Sequence, residues 1–338
     1  MNQISTELLA TQRGQVIKKT FGQYFVRAAG QIITCSISNK LRKTLLYPTA
    51  DASSLSRRVV AVKDIESVDP IAVGDHVEFT LLDDANGMIV EVLPRRNKLS
   101  RPAIDGGRRM KTGGQMLEQV IAANVDQIIS VMPIANPAPS WNLLDRYLLT
   151  AEAAEIPPLI CFTKLDLTPD FVSPKEIKVY EQLGYPVLLT SSNTGQGIDA
   201  IKAALKDKVS VLWGKSGVGK TSLMNAIQPD LGLHVLEINK FNSEGRHSTS
   251  HMEMFDLEFG GSVIDTPGVR TFKLWDVEDT DLAHFMPDLR SYLGKCKFGS
   301  SCTHLHEPGC AIKLAVEAGH VDKRRYESYL EMREYFAD

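Results

Sequence analysis

The segment FTKLDL, Phe162 to Leu167, closes an apolar run and sets an aspartate two residues after a lysine. A carboxylate held there can accept hydrogen bonds from N1–H and the N2 amino group of guanine, donors that adenine does not offer. Thr163, Lys164, Leu165 and Asp166 thus form a candidate base-reading turn, with Lys164 placed to lie along the ring. A second segment, TSSNTGQG (190–197), also ends an apolar run. It offers backbone groups of Ser192 and Asn193 to guanine O6, with Ser191 beside them. Taken alone, T-K-x-D reads better as a loop of solvated charges, so the rest of the chain decides.

The deciding companion is WGKSGVGKTS, 213–222. It follows the apolar VSVLW and precedes the helical pattern TSLMNAIQ, which is the context a G-x-x-x-x-G-K-[ST] phosphate loop requires. Gly214, Gly217 and Gly219 let the backbone N–H groups of Lys215, Ser216 and Val218 turn inward around phosphate oxygens, and the following helix adds its positive end. Lys220 would reach the β- and γ-phosphates; the Thr221 hydroxyl, next to Ser222, would bind Mg²⁺. Further on, IDTPGVR (264–270) supplies Asp265 for the magnesium and the Gly268 N–H as a γ-phosphate sensor. With EGRHSTSH (244–251) lying where a first switch belongs, the order along the chain is base, base, phosphate, switch, switch, a rotation of the usual GTPase order. A parallel sheet needs each loop at the carboxyl end of its strand. It does not need a particular chain start.

Around these motifs the grammar of the 338-residue chain changes twice. From Gly14 to about Val92, short alternating runs separated by turn residues (GQVIKK, YFVRAA, QIITCSI, VVAVKDI, DHVEFTLLD, GMIVEVL) indicate a small all-β barrel or sandwich. PRRNKLSRPAIDGGRRMKTGGQ has no periodicity and reads as a basic linker. Beyond it, apolar runs alternate with helical patterns, implying a parallel sheet covered by helices on both faces. After about Asp276 only helical stretches remain. The expected domains are a barrel at 1–93, a linker at 94–115, an α/β nucleotide domain at 116–275 and a helical module at 276–338.

Charge is segregated: residues 1–111 carry a formal +6 and the remainder −9. That points to a polyanionic partner for the basic third, or simply to a solvated surface. No apolar stretch is long enough to span a bilayer, and the N-terminus lacks a signal pattern, so a cytoplasmic protein is expected. Cys35 and Cys161 sit in apolar runs and read as core residues. CKFGSSCTHLHEPGC gathers Cys296, Cys302, His304, His306 and Cys310; such a cluster in a cytosolic chain favours a metal over a disulfide, and the donors suit tetrahedral zinc.

The base–base–phosphate–switch series, the β-barrel before it and the Cys/His tail after it, over residues 14–330, resemble the circularly permuted GTPases of the RsgA (YjeQ) family. The resemblance implies an OB-type barrel, a permuted P-loop GTPase domain and a zinc-binding helical module. It further implies GTP hydrolysis to GDP with Mg²⁺, stimulated by the small (30S) ribosomal subunit. The partner would be that subunit and its rRNA, with the protein acting as a monomer off the membrane. The zinc ligands by that match are Cys296, Cys302, His304 and Cys310, leaving His306 outside. Val269 stands where many Ras-like proteins carry a water-orienting glutamine. EGRHSTSH (244–251) resembles the family's first-switch segment. That match makes Thr249 the residue on Mg²⁺ and γ-phosphate, and His247 the candidate that positions water beside Lys220. The alternatives are a GTP-switched chaperone and an RNA-binding module acting on another partner.

Overall fold

The computed structural model describes residues 10–20, 22–41, 69–102, 111–112, 115–116, 118–168, 170, 174–231, 252–266 and 277–337. Within them the chain forms two units, residues 1–125 with 249–255, and residues 126–248 with 256–338.

The first unit contains the barrel. Strands β1 (Thr11–Thr20), β2 (Gln23–Ala28), β3 (Gln31–Ile37), β4 (His76–Leu81) and β5 (Asn86–Val92) pair in the order β1-β2-β3-β5-β4, and β4 closes back on β1. Closure removes the free edges that such short strands would otherwise expose. The alternating pattern seen in the sequence fills the interior with Val16, Val26, Ile33, Cys35, Val77, Phe79 and Ile89. Burial pushes the Cys35 thiol up to about 11, as an inert core residue requires. Tyr24 is also in this core and donates its hydroxyl to Asp69 at 3.0 Å. Phe25 is half-buried, and Phe21 lies outside the described residues. VVAVKDI (59–65), expected as a strand, lies outside them too. The stretch expected as a linker contains β6 (Lys98–Pro102), which pairs antiparallel with β7 (Glu118–Ala123). Arg95 anchors its start, gripping the fully buried Asp75 with two hydrogen bonds of 2.7 Å.

The second unit holds a five-stranded parallel sheet. β8 (Gln127–Pro133), β9 (Pro158–Thr163), β10 (Val187–Leu189), β11 (Val209–Trp213) and β12 (Ser262–Asp265) lie in the order β10-β9-β8-β11-β12. Every residue of β8 is buried, which is why it reads as a continuous apolar run rather than an alternating one. Helices α1 (Trp141–Ala153), α2 (Lys175–Gln182), α3 (Ile198–Leu205) and α4 (Lys220–Ile227) connect these strands. From β8 the chain moves outward to β9 and β10, then returns to lay β11 against the other side of β8. That reversal is the switch point at which α/β sheets bind ligands.

The same unit includes the C-terminal module, built from α5 (Ala311–Glu317), α6 (Lys323–Ala337) and short turns. Its core of Leu282, Leu289, Ile312, Tyr329 and Met332 incorporates Leu149 of α1, so nucleotide domain and module share apolar packing. Among the described residues, no helix is long and apolar enough to cross a membrane.

Candidate nucleotide site and metal cluster

The phosphate loop leaves β11 at Gly214 and enters α4 at Lys220. Gly214 is fixed by contact: a Cβ there would meet the Val131 carbonyl oxygen at 2.6 Å. Gly219 is fixed by conformation, with φ +100°, a region costly for residues with a side chain. Between them Lys215 and Ser216 are exposed, Gly217 half-exposed and Val218 buried. Thr221 and Ser222 open the helix.

Lys220 donates to the carbonyls of Gly214 and, at 3.0 Å, of Lys215. Burial lowers its pKa, and the nearby Asp265 opposes that shift. Burial conversely raises the Asp265 carboxyl, with Lys220 opposing. Each group is thus strained toward neutrality by desolvation, a cost that phosphate and a bound cation would relieve. The Oδ1 atom of Asp265 is buried without a hydrogen-bond partner among the described residues. An orphaned carboxylate oxygen beside the loop suits a hard cation such as Mg²⁺.

The base-reading turn follows β9, whose neighbour β8 separates it from β11. The buried Thr163 hydroxyl lies 2.5 Å from the Val218 carbonyl and 3.3 Å from that of Met132. It therefore ties the base turn to the phosphate loop. Lys164, with φ +63°, crosses in the same direction and donates to Gly217 O at 2.9 Å and to Asn136 O. The Leu165 N–H bonds Thr190 O at 3.1 Å, joining this turn to the loop after β10. There the fully buried Ser191 donates to Asp166 Oδ1 at 2.6 Å, and the Asn193 amide donates to Oδ2 at 2.8 Å. These two bonds, Ser191 first, hold the Asp166 pKa below the usual carboxylate range. The carboxylate is kept charged, as an acceptor for guanine must be. Ser192 sits half-buried between them. Sequence reading assigned Asn193 a backbone role; here its side chain also orients Asp166.

The structure therefore brings Thr163–Asp166, Ser191–Asn193, Gly214–Ser222 and Asp265 to the carboxyl ends of β9, β10, β11 and β12. His247, Thr249 and Gly268 lie outside the described residues.

A second constellation stands in the C-terminal module. Cys296, Cys302, His304 and Cys310 are all buried, with ligand atoms within 4.8 Å of one another. His304 Nδ1 is 3.5 Å from both Cys296 Sγ and Cys310 Sγ. Burial lowers the His304 pKa, favouring the neutral imidazole that binds metals. Three sulfurs and an imidazole at these separations could hold a metal ion. His306 is not in the group. Sequence reading missed Glu307. Its carboxylate accepts the N–H groups of Thr303 at 2.8 Å, Leu305 at 3.1 Å and His306 at 3.2 Å, plus the Thr303 hydroxyl. That grip bends the chain so that His304, at φ +62°, faces the cysteines. An acidic residue three positions after a histidine ligand is a weak signal, because its partners are backbone groups that no side-chain pattern reveals.

Comparison with known proteins agrees with this geometry. A family model described as RsgA GTPase matches residues 92–275. The small ribosomal subunit biogenesis GTPase RsgA of Bacteroides fragilis is 35% identical over 326 residues, covering 95% of this chain and 96% of its own length. The protein of the same description from Alkaliphilus metalliredigens is 34% identical over 322 residues, with the same coverage. Among solved structures, YjeQ from Thermotoga maritima superimposes with a TM-score of 0.68 at 30% identity, covering 97% of this chain and 99% of its own. YloQ, described as a circularly permuted GTPase, gives 0.65 at 30% identity, over 100% and 98%. The chain therefore belongs to the RsgA GTPase family and is a circularly permuted GTP hydrolase.

Proposed function

We propose that this GTPase acts on the small ribosomal subunit, binding its rRNA and assisting its late maturation, with hydrolysis raised by the subunit. The observation that carries the reading is similarity over 95% of the chain to relatives described as small ribosomal subunit biogenesis GTPases. The barrel architecture and the formal +6 on residues 1–111 fit a polyanionic partner for that part. Such a protein works in the cytoplasm, as a monomer on its subunit. In this reading the Cys296–Cys302–His304–Cys310 cluster holds one structural zinc. Four protein ligands leave no open position for catalysis.

At the nucleotide site, Asp166 selects guanine and Lys164 lies along the base, while the phosphate loop and Lys220 cradle the phosphates. Thr221, Asp265 and Thr249 would hold magnesium, which neutralises charge developing on the phosphoryl oxygens. Gly268 senses the γ-phosphate. With Val269 in the glutamine place, His247 positions the attacking water. Phosphoryl transfer depends mainly on positioning and charge stabilisation. Turnover without the subunit would then be slow, with the subunit supplying part of that positioning.

Sedimentation with purified subunits tests the partner. The protein, loaded with a non-hydrolysable GTP analogue, should travel with small subunits and not with large ones. Equal or absent co-sedimentation with both would remove the ribosomal reading while leaving the GTPase intact.

A further inference from the structure

We propose that α6, through Arg324 and Arg325, positions both nucleotide-reading loops by way of α1, so that the C-terminal module sets how tightly nucleotide is held. The proposal rests on the nucleotide site described above, and not on the identity of the partner.

Helix α1 touches the last residue before each loop. Its first residue, Trp141, meets Phe162 edge-on, with ring centroids 5.9 Å apart at 62°; Phe162 immediately precedes Thr163 and Lys164. Tyr147, six residues on, stacks on Trp213 at 5.6 Å and 27°, and Trp213 immediately precedes Gly214. Burial pushes the Tyr147 phenol well above its ordinary pKa, with the backbone of Lys215 in the phosphate loop working against that rise. A shift of α1 along or about its axis is thus felt by both loops.

Besides the apolar contact of Leu149 and the Ser328–Asn142 hydrogen bond of 2.7 Å, a buried cluster of four charges holds α1 in register. Asp145, whose side chain is fully buried, accepts from Tyr180 Oη at 2.6 Å, from Arg325 at 2.7 Å and from Arg324 at 2.7 Å. Arg325, nearly as buried, also grips Asp288 with two bonds of 2.7 Å. The Arg324 guanidinium lies 5.9 Å from the Trp141 ring centroid and 5.5 Å from that of Tyr180. It is therefore in contact with the residue that abuts Phe162. Buried ion clusters of this kind contribute little net stability over apolar packing and are better suited to fixing one arrangement.

The other end of the connection is the metal loop. On the same helix, Tyr326 donates to His304 O at 2.8 Å and Arg333 to Thr303 O. Helix α6 thus joins the Cys/His loop to α1 and, through α1, to the two strand ends that carry the nucleotide loops. A partner that displaces the module would loosen or tighten the pocket without touching it.

The test uses the full-length, metal-loaded protein and a fluorescent GDP. Arg324→Met keeps the stem and removes the charge, and Arg324→Lys keeps the charge and removes the planar fork. Ile312→Val, on α5, loosens the same module core without altering Asp145's partners. The expected result is nucleotide dissociation about fivefold faster or more in Arg324→Met, an effect at the low end of inter-site couplings. The KM for GTP should rise more than kcat falls, Arg324→Lys should restore part of the loss, and Ile312→Val should match wild type. Wild-type dissociation from Arg324→Met would overturn the proposal, as would equal acceleration in Ile312→Val. Should Arg324→Met fail to fold, Arg324→Lys alone decides, since wild-type release from it contradicts a role for the guanidinium beside Trp141. A wild-type protein that bound no guanine nucleotide would instead defeat the site assignment.

Discussion

Asp166 carries the claim of guanine selectivity, and one substitution isolates it. An aspartate accepts from both N1–H and the N2 amino group, whereas an asparagine accepts at one atom and donates at the other. Asp166→Asn should therefore lose guanine nucleotides by about tenfold or more and gain xanthine nucleotides, whose C2 carbonyl accepts the new donor. Competition against a fluorescent nucleotide measures both, and equal loss of the two would refute the contact. The carboxylate's pKa gives a second handle. Its folded value lies below the unfolded one, mainly because Ser191 donates to it. Its stabilising effect is thus complete above the unfolded value of ~3.9 and is lost as pH falls through the lowered folded value. Guanine nucleotide affinity should hold as pH falls toward that region, and Ser191→Ala should make it fail at higher pH. Overlapping titration curves for the two proteins would show that Ser191 does not set the charge.

The metal loop shows what elements reveal and what they conceal. Cys296, Cys302, His304 and Cys310 stand out in sequence because their side chains would be the ligands and lie within fifteen residues. Glu307 does not stand out, since it acts on backbone N–H groups. These bonds, those to Thr303 first, hold its pKa down to about 2, so the grip persists at any ordinary pH. Glu307→Ala would leave turn amides without their acceptor. Metal release to a chelator should accelerate by roughly tenfold, the equivalent of one lost charge-assisted hydrogen bond. An unchanged release rate would show that the cysteines alone shape the loop. The strands and helices of the nucleotide domain and of the C-terminal module were legible for the reason the Cys/His cluster was: each is a local pattern, from VSVLW before the phosphate loop to KRRYESYLEMREYF in α6. β6 was not legible, because only its pairing with β7 marks KLSRP as a strand. The contacts of Arg324 and Arg325 with Asp145 span 179 and 180 residues, and nothing local in KRRY announces them.

Across the whole molecule, permutation leaves the chemistry of the site intact and changes what is attached to it. The base turns now precede the phosphate loop in sequence, yet Thr163 and Lys164 bond Val218 and Gly217 as if the chain order did not matter. The new connectivity places the Cys/His module after the switch region, and the module packs on α1 rather than standing apart. A GTPase built this way should be slow alone and fast on its subunit. The measurement that tests this most directly is phosphate release from GTP and from ATP, each with and without purified small ribosomal subunits. The expected rate is slow with GTP only, rising about tenfold or more when subunits are added. Equal hydrolysis of ATP, or a GTP rate indifferent to subunits, would contradict it.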